Sequence, residues 1–268
     1  MVAPHPSQGV AWITGASSGI GRGLAMQLAS EGWQVCASAR RQGELDTMAE
    51  EARDMAGAVI PVPLDVTDTQ AVRQAVDGIE RDHGPIALTV LNAGTHQPIS
   101  AWDFDAAAVQ KLLTLNVMGQ AYPLEVLLPR MIDRGAGRIA VVASVAGYRG
   151  LPTAAGYGAS KAGVINMCES LRPELAGTGV TLQLVNPGFV RTPLTDKNDF
   201  NMPMLMELED AVASFRRQLD RDKFEIVFPW RFIMLMKVLK MLPYGLLFKL
   251  TTRMVPKRPD AATKETAR

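Results

Sequence analysis

Two cysteines, three histidines and almost no net charge exclude several kinds of protein for this 268-residue sequence. Cys36 and Cys168 lie in segments that read as buried elements, so neither a disulfide framework nor a metal site is expected, and a reducing compartment fits. A net charge of +1 with 21% charged residues argues against a disordered or nucleic-acid-coating chain. No segment repeats at a fixed period, which excludes a solenoid. The first ten residues carry neither a basic start nor an apolar run, so no secretory leader is expected and a cytoplasmic location follows.

What is present is alternation. Short apolar or β-branched runs near 10–14, 33–38, 58–64, 86–91, 138–143 and 180–185 read as strands. Longer amphipathic stretches near 19–31, 42–56, 68–83, 103–131 and 154–177 read as helices. After Pro187 come a Pro- and Met-rich loop to Met206, a helix to about Arg221 and a seventh strand over 224–228. This pattern predicts a Rossmann-like α/β fold: a doubly wound, seven-stranded parallel sheet with helices on both faces. No linker is apparent, so we expect residues 1–229 to form one domain and residues 230–268 a helical extension of that same domain, with a polar tail.

The first strand runs into Thr14-Gly15-Ala16-Ser17-Ser18-Gly19-Ile20-Gly21 and directly into an amphipathic helix. Glycines let the backbone approach a pyrophosphate, whose charge is favoured by the free amides and dipole of a helix N-terminus. The spacing is G-x-x-x-G-x-G, since Leu24 stands where G-x-G-x-x-G requires a third glycine. Gly15 to Gly19 also satisfies the G-x-S-x-G of serine hydrolases, but that chemistry needs a histidine after the serine and its acid. The candidates are His83 and His96, and no histidine follows residue 96.

At the end of the second strand an NAD site would place an acidic residue on the ribose hydroxyls. Here the chain reads Ala39-Arg40-Arg41. Arginine offers a 2′-phosphate charge-assisted hydrogen bonds of about 1.5–3 kcal/mol each, roughly ten- to hundredfold in affinity, so NADP(H) is the expected cofactor. Solvation of the next helix is the alternative role for the pair.

Ser144 follows the fifth strand, and Tyr157-Gly158-Ala159-Ser160-Lys161 opens the next helix. Positions i and i+4 share a helix face, so the lysine ammonium can lie below the phenol and favour its ionisation. Tyr157 then serves as acid or base while Ser144 hydrogen-bonds the developing alkoxide.

With these motifs in this order over about residues 9–195, the chain resembles the single-domain branch of the short-chain dehydrogenase/reductase family. The resemblance implies an oxidoreductase moving hydride between NADP(H) and a small-molecule carbonyl or alcohol. It assigns the pyrophosphate to Thr14, Gly15, Gly19 and Gly21, with Ser17, Ser18 and Ile20 in the same turn. Asp65 meets the adenine, with Val66 beside it, and Asn92-Ala93-Gly94 borders the cofactor. Asn116 holds a water in a proton relay to Lys161 and completes a tetrad with Ser144 and Tyr157. Tyr157 and Lys161 also contact the cofactor, as do Pro187, Gly188, Val190 and Thr192 near the carboxamide. Structural alternatives exist: Asp65 as a helix cap, Asn92 as a turn residue, Asn116 as a locally satisfied polar group. Leu91 replaces the family's first asparagine, and Pro173 falls inside the helix after Lys161, where it removes a hydrogen bond and can kink that helix. A homo-oligomer is expected. The alternative from another class is a nonenzymatic NADP(H)-sensing or scaffold protein, which would not need all four tetrad residues.

Beyond Gly188, the loop residues Leu194, Phe200, Met202, Met204, Leu205 and Met206 suggest a lipophilic substrate, unless they only pack the next helix. Residues 224–268 hold nine Lys/Arg and three Asp/Glu. A helix over 230–242 would reach about 20 Å, short of the roughly 30 Å hydrocarbon core, so it should not cross a membrane. Residues 230–255 are either a peripheral anchor on the inner face of an anionic membrane, or a lid or subunit interface.

Overall fold

Val10–Thr14 forms strand β1, buried along its whole length. Val10 and Trp12 point into one hydrophobic layer and Ala11 and Ile13 into the other, as expected for a strand covered on both faces. The computed structural model describes residues 4–197 and 202–255. Around β1 lie β2 (Gln34–Ala39), β3 (Ala58–Pro63), β4 (Ile86–Leu91), β5 (Gly137–Val142), β6 (Val180–Pro187) and β7 (Glu225–Phe228). All pairings are parallel, in the order β3-β2-β1-β4-β5-β6-β7. The chain winds outward from β1 to β3, returns beside β1 as β4, and winds the other way. The switch point therefore lies beyond the C-terminal ends of β1 and β4, where ligands bind such sheets.

Helices α1 (Gly19–Ser30), α2 (Gln42–Glu51) and α7 (Leu208–Leu219) cover one face through Leu24, Leu28, Leu45, Met48, Val212 and Phe215. On the other lie α3 (Thr69–His83), α5 (Gly119–Arg134), α6 (Ala155–Glu174) and α8 (Trp230–Met241). Helix α4 (Ala106–Leu113) leads into α5, and α9 (Tyr244–Thr251) follows α8.

Two helical spans differ from expectation. The stretch 103–131 is not one helix: Asp105 caps α4 by accepting from the Ala107 amide at 2.8 Å, and a π-helical segment, Thr114–Met118, joins α4 to α5. The helix expected to reach 56 stops at Glu51. The chain must return under the α1–β2 turn, where the Gly57 amide donates to Ala29 and a Cβ on Gly57 would stand 2.1 Å from the Trp33 carbonyl oxygen. Pro173 sits in the last turn of α6, which runs on to Glu174.

Candidate active site

β1 delivers Thr14 to the switch point, where its buried hydroxyl accepts from the amides of Asn92 and Ala93 at 3.1 and 3.2 Å. The Asn92 side chain returns two hydrogen bonds, to the carbonyls of Thr14 (3.2 Å) and Gly15 (3.1 Å). Asn92 is thus a clamp joining the end of β4 to the glycine turn. Gly15 has φ +66°, and a Cβ there would lie 2.8 Å from Ala93 Cα. A Cβ on Gly21 would lie 2.5 Å from both the Asn92 amide nitrogen and the Gly15 carbonyl oxygen. Backbone approaches backbone this closely only without side chains. Ser18 is the N-cap of α1 and makes no side-chain capping bond. The helix start, with its free amides, fits a pyrophosphate.

Arg40 and Arg41, both exposed, stand where β2 ends; Arg41 donates to the Ser17 hydroxyl at 3.1 Å. Asp65 accepts from the Thr67 amide (2.9 Å) and hydroxyl (2.7 Å). The Thr67 amide lowers its pKa most; burial opposes this, and the Thr67 hydroxyl and nearby Arg40 assist. Asp65 is not the cap of α3: Asp68 fills that role, accepting from Gln70 and Ala71. Val66 is buried, and a Cβ on Gly119 would lie 2.8 Å from its Cγ2.

Tyr157 and Lys161 lie one turn apart on α6, with Lys161 Nζ 5.9 Å from the centre of the Tyr157 ring. Buried Lys161 donates to the Val142 carbonyl at 2.9 Å, an oxygen that also accepts from Gln120 at 3.0 Å. Ser144, N-cap of a 3-10 turn over Val145–Gly147, is brought against Tyr157 because Gly147 packs on α6; a Cβ there would lie 2.7 Å from the Lys161 carbonyl carbon. Burial raises the Tyr157 pKa, while the Ser144 hydrogen bond pulls the other way. Burial also lowers Lys161, to about 8. The expectation that lysine brings the phenol down is therefore reversed in this state, because desolvation opposes both charged forms.

Asn116 is fully buried in the π-helical segment. Its side chain is held by the Thr95 backbone on both sides (2.8 and 2.9 Å) and donates to Ser160 at 2.9 Å. These local bonds fix Asn116 in place, while a Cβ on Gly94 would lie 3.1 Å from Asn116 Oδ1 and 3.4 Å from Lys161 Nζ. Gly94, Asn116, Ser144, Tyr157 and Lys161 thus converge. Gly188 lies against Phe232 of α8, buried Val190 bridges to Met206, and Thr192 faces Gly19 across 3.3 Å from the position of a Cβ there.

Sequence reasoning missed His96, whose ring meets Tyr157 edge-on with centroids 4.7 Å apart, and the apolar wall of Ile99, Val109 and Leu112 beside that tyrosine. His96 follows Gly94 by two residues, so its nearness was readable; the wall comes together only through α4 packing on α6 at Gly156. In the expected substrate loop, Met206 packs on the core with Leu208, which makes it a packing residue. Phe200 lies outside the described residues.

A doubly wound parallel sheet that feeds a glycine cradle into a helix N-terminus defines the class of dinucleotide-binding α/β proteins. The family model for short chain dehydrogenases matches residues 9–202. A Myxococcus xanthus protein named as an uncharacterized oxidoreductase is 40% identical over 87% of this chain and 92% of its own length. A 3-oxoacyl-[acyl-carrier-protein] reductase of Thermotoga maritima is 36% identical over 70% of this chain and 76% of its own. Among solved structures, a Sphingobium yanoikuyae short-chain dehydrogenase in complex with NADPH superposes with a TM-score of 0.76 at 26% identity, covering 94% of this chain and 99% of that one. This chain belongs to the short-chain dehydrogenases, oxidoreductases that use a nicotinamide cofactor.

Proposed function

We propose that the chain is an NADP(H)-dependent reductase of ketones or aldehydes, and that the convergence of Ser144, Tyr157 and Lys161 beside Gly94 and Asn116 carries this reading. NADPH, when bound, supplies the hydride; Thr14, Gly15, Ser17, Ser18, Gly19, Ile20 and Gly21 would hold its pyrophosphate. Asp65, Val66, Asn92, Ala93, Pro187, Gly188, Val190 and Thr192 would line the rest of its site. Arg40 and Arg41 support a 2′-phosphate at the end of β2, in keeping with the NADPH bound by the Sphingobium relative.

At neutral pH Tyr157 holds its proton, the form needed to protonate an alkoxide oxygen as it develops. Ser144 donates a hydrogen bond to the same oxygen, and Lys161 stabilises the phenolate left behind. Asn116 holds the Thr95 backbone and Ser160 in register with Tyr157. Ile99, Val109 and Leu112 exclude water from one side of the phenol and favour an apolar substituent on the carbonyl. Exposed Leu113, Met118 and Ile132 support burial against a second copy in a cytoplasmic homo-oligomer.

Titration with NADPH and NADH, followed by NADPH oxidation with short- and long-chain ketones and aldehydes, tests the reading. It predicts tighter NADPH binding and turnover of the more lipophilic carbonyls. Preference for NADH, or tight binding with no carbonyl turned over, would contradict it.

A further inference from the structure

We propose that the outer face of α8 and α9 docks the protein on an anionic lipid surface. Among the described residues, eleven of the seventeen large hydrophobic side chains left exposed lie between Trp230 and Val255. Helix α8 carries apolar residues on every side between its three cations, and its packing chooses which side stays free. Phe232, Ile233 and Met236 enter the core; the Phe232 ring meets Phe189 with centroids 5.2 Å apart. Lys237 pairs with Glu225, and Lys240 lies 5.7 Å from the centre of the Tyr148 ring. What remains outside is Trp230, Met234, Leu235, Val238 and Met241, with Arg231 among them, which at 100° per residue fall within an arc of about 140°.

Helix α9 extends this surface. Leu247 and Thr251 are buried, whereas Tyr244, Leu246, Phe248 and Leu250 are exposed. The α8–α9 turn is held by Arg149, which donates to the Leu242 carbonyl at 3.1 Å and stacks 4.5 Å from the Tyr244 ring centre. An exposed apolar surface of this extent marks a docking site.

Charge selects the occupant. Residues 230–255 contain Arg231, Lys237, Lys240, Lys249 and Arg253 and no Asp or Glu. Of these only Lys237 has an ion-pair partner among the described residues. A second copy docked on this face by a two-fold axis would set cations against cations with no carboxylate from either helix to separate them. An anionic bilayer offers both apolar depth and negative charge, and Trp230 and Tyr244 suit the headgroup boundary. No helix among the described residues is long and apolar enough to cross a membrane, so the contact lies in the interface plane.

The test is sedimentation of the full chain with phosphatidylcholine vesicles, with and without phosphatidylglycerol. Docking predicts pelleting with the anionic vesicles, weakened by salt and nearly absent with neutral ones. Val238→Glu combined with Phe248→Glu should lower partitioning at least about tenfold while NADPH binding and cooperative thermal unfolding persist. In the unsubstituted chain, bromine-labelled lipid should quench the part of the fluorescence that Trp230→Phe removes. Failure of the unsubstituted chain to bind anionic vesicles overturns the proposal. So does equal binding by the folded double variant, or a change from dimer to monomer in that variant without vesicle binding. Because these readouts need no turnover, the docking and the carbonyl-reductase reading fail separately.

Discussion

Burial moves Tyr157 and Lys161 in opposite directions, and both moves favour the uncharged side chain. The phenol therefore keeps its proton at neutral pH, and charge on the lysine is conditional on pH. Arginine chemistry is the other residue-scale determinant. Arg40 is exposed at the end of β2 and close enough to Asp65 to lower its pKa. Replacing it with a carboxylate puts negative charge where a 2′-phosphate is expected. Arg40→Asp should weaken NADPH binding by about ten- to hundredfold and leave NADH binding within a few-fold, as read by cofactor fluorescence titration. Equal loss for both cofactors would show that Arg40 supports the turn and does not read the phosphate.

At the scale of elements, the glycine turn is held from outside. Asn92 and Ala93, at the end of β4, donate four hydrogen bonds to Thr14 and Gly15 at the end of β1, three of them from Asn92. Gly21→Ala would drive a methyl group against both the Asn92 amide and the Gly15 carbonyl. We expect a loss of about 1–3 kcal/mol in urea unfolding and a larger proportional loss of NADPH binding; unchanged binding would mean that the turn is not the cradle. The bounds of β1 and β4 were legible because a continuous apolar run ends in turn residues at both. The 103–131 span was not, since its apolar spacing stays helical while the π-helical segment shifts the register, a change with no local signature. The inward side of α8 was equally hidden: with apolar residues on every side, only packing against Gly188 and Phe189 chooses. Asn116, Ser144, Tyr157 and Lys161 were readable as positions expected to meet, but the bonds from Asn116 to Thr95 and Ser160 join residues 21 and 44 positions away and required the fold.

For the whole molecule, a buried Lys161 makes stability depend on pH. Its pKa is about 8 in the folded chain against an ordinary 10.5, so between those values the unfolded chain binds the extra proton. Stability should therefore rise with pH across that window, where charge is shed on folding, and level off above it. Measured against Lys161→Met, which removes the titration and cancels other groups, the gain should be on the order of 3 kcal/mol in denaturant unfolding. A flat or falling difference between pH 8 and 10.5 would place the ammonium in contact with water.

The central claim is that Tyr157 delivers the proton in carbonyl reduction, and turnover by Tyr157→Phe tests it most directly. With NADPH binding measured alongside, the account predicts retained cofactor binding and a fall in kcat of about a hundred- to ten-thousandfold. A folded, NADPH-saturated Tyr157→Phe protein that turned over a ketone at the original rate would contradict it.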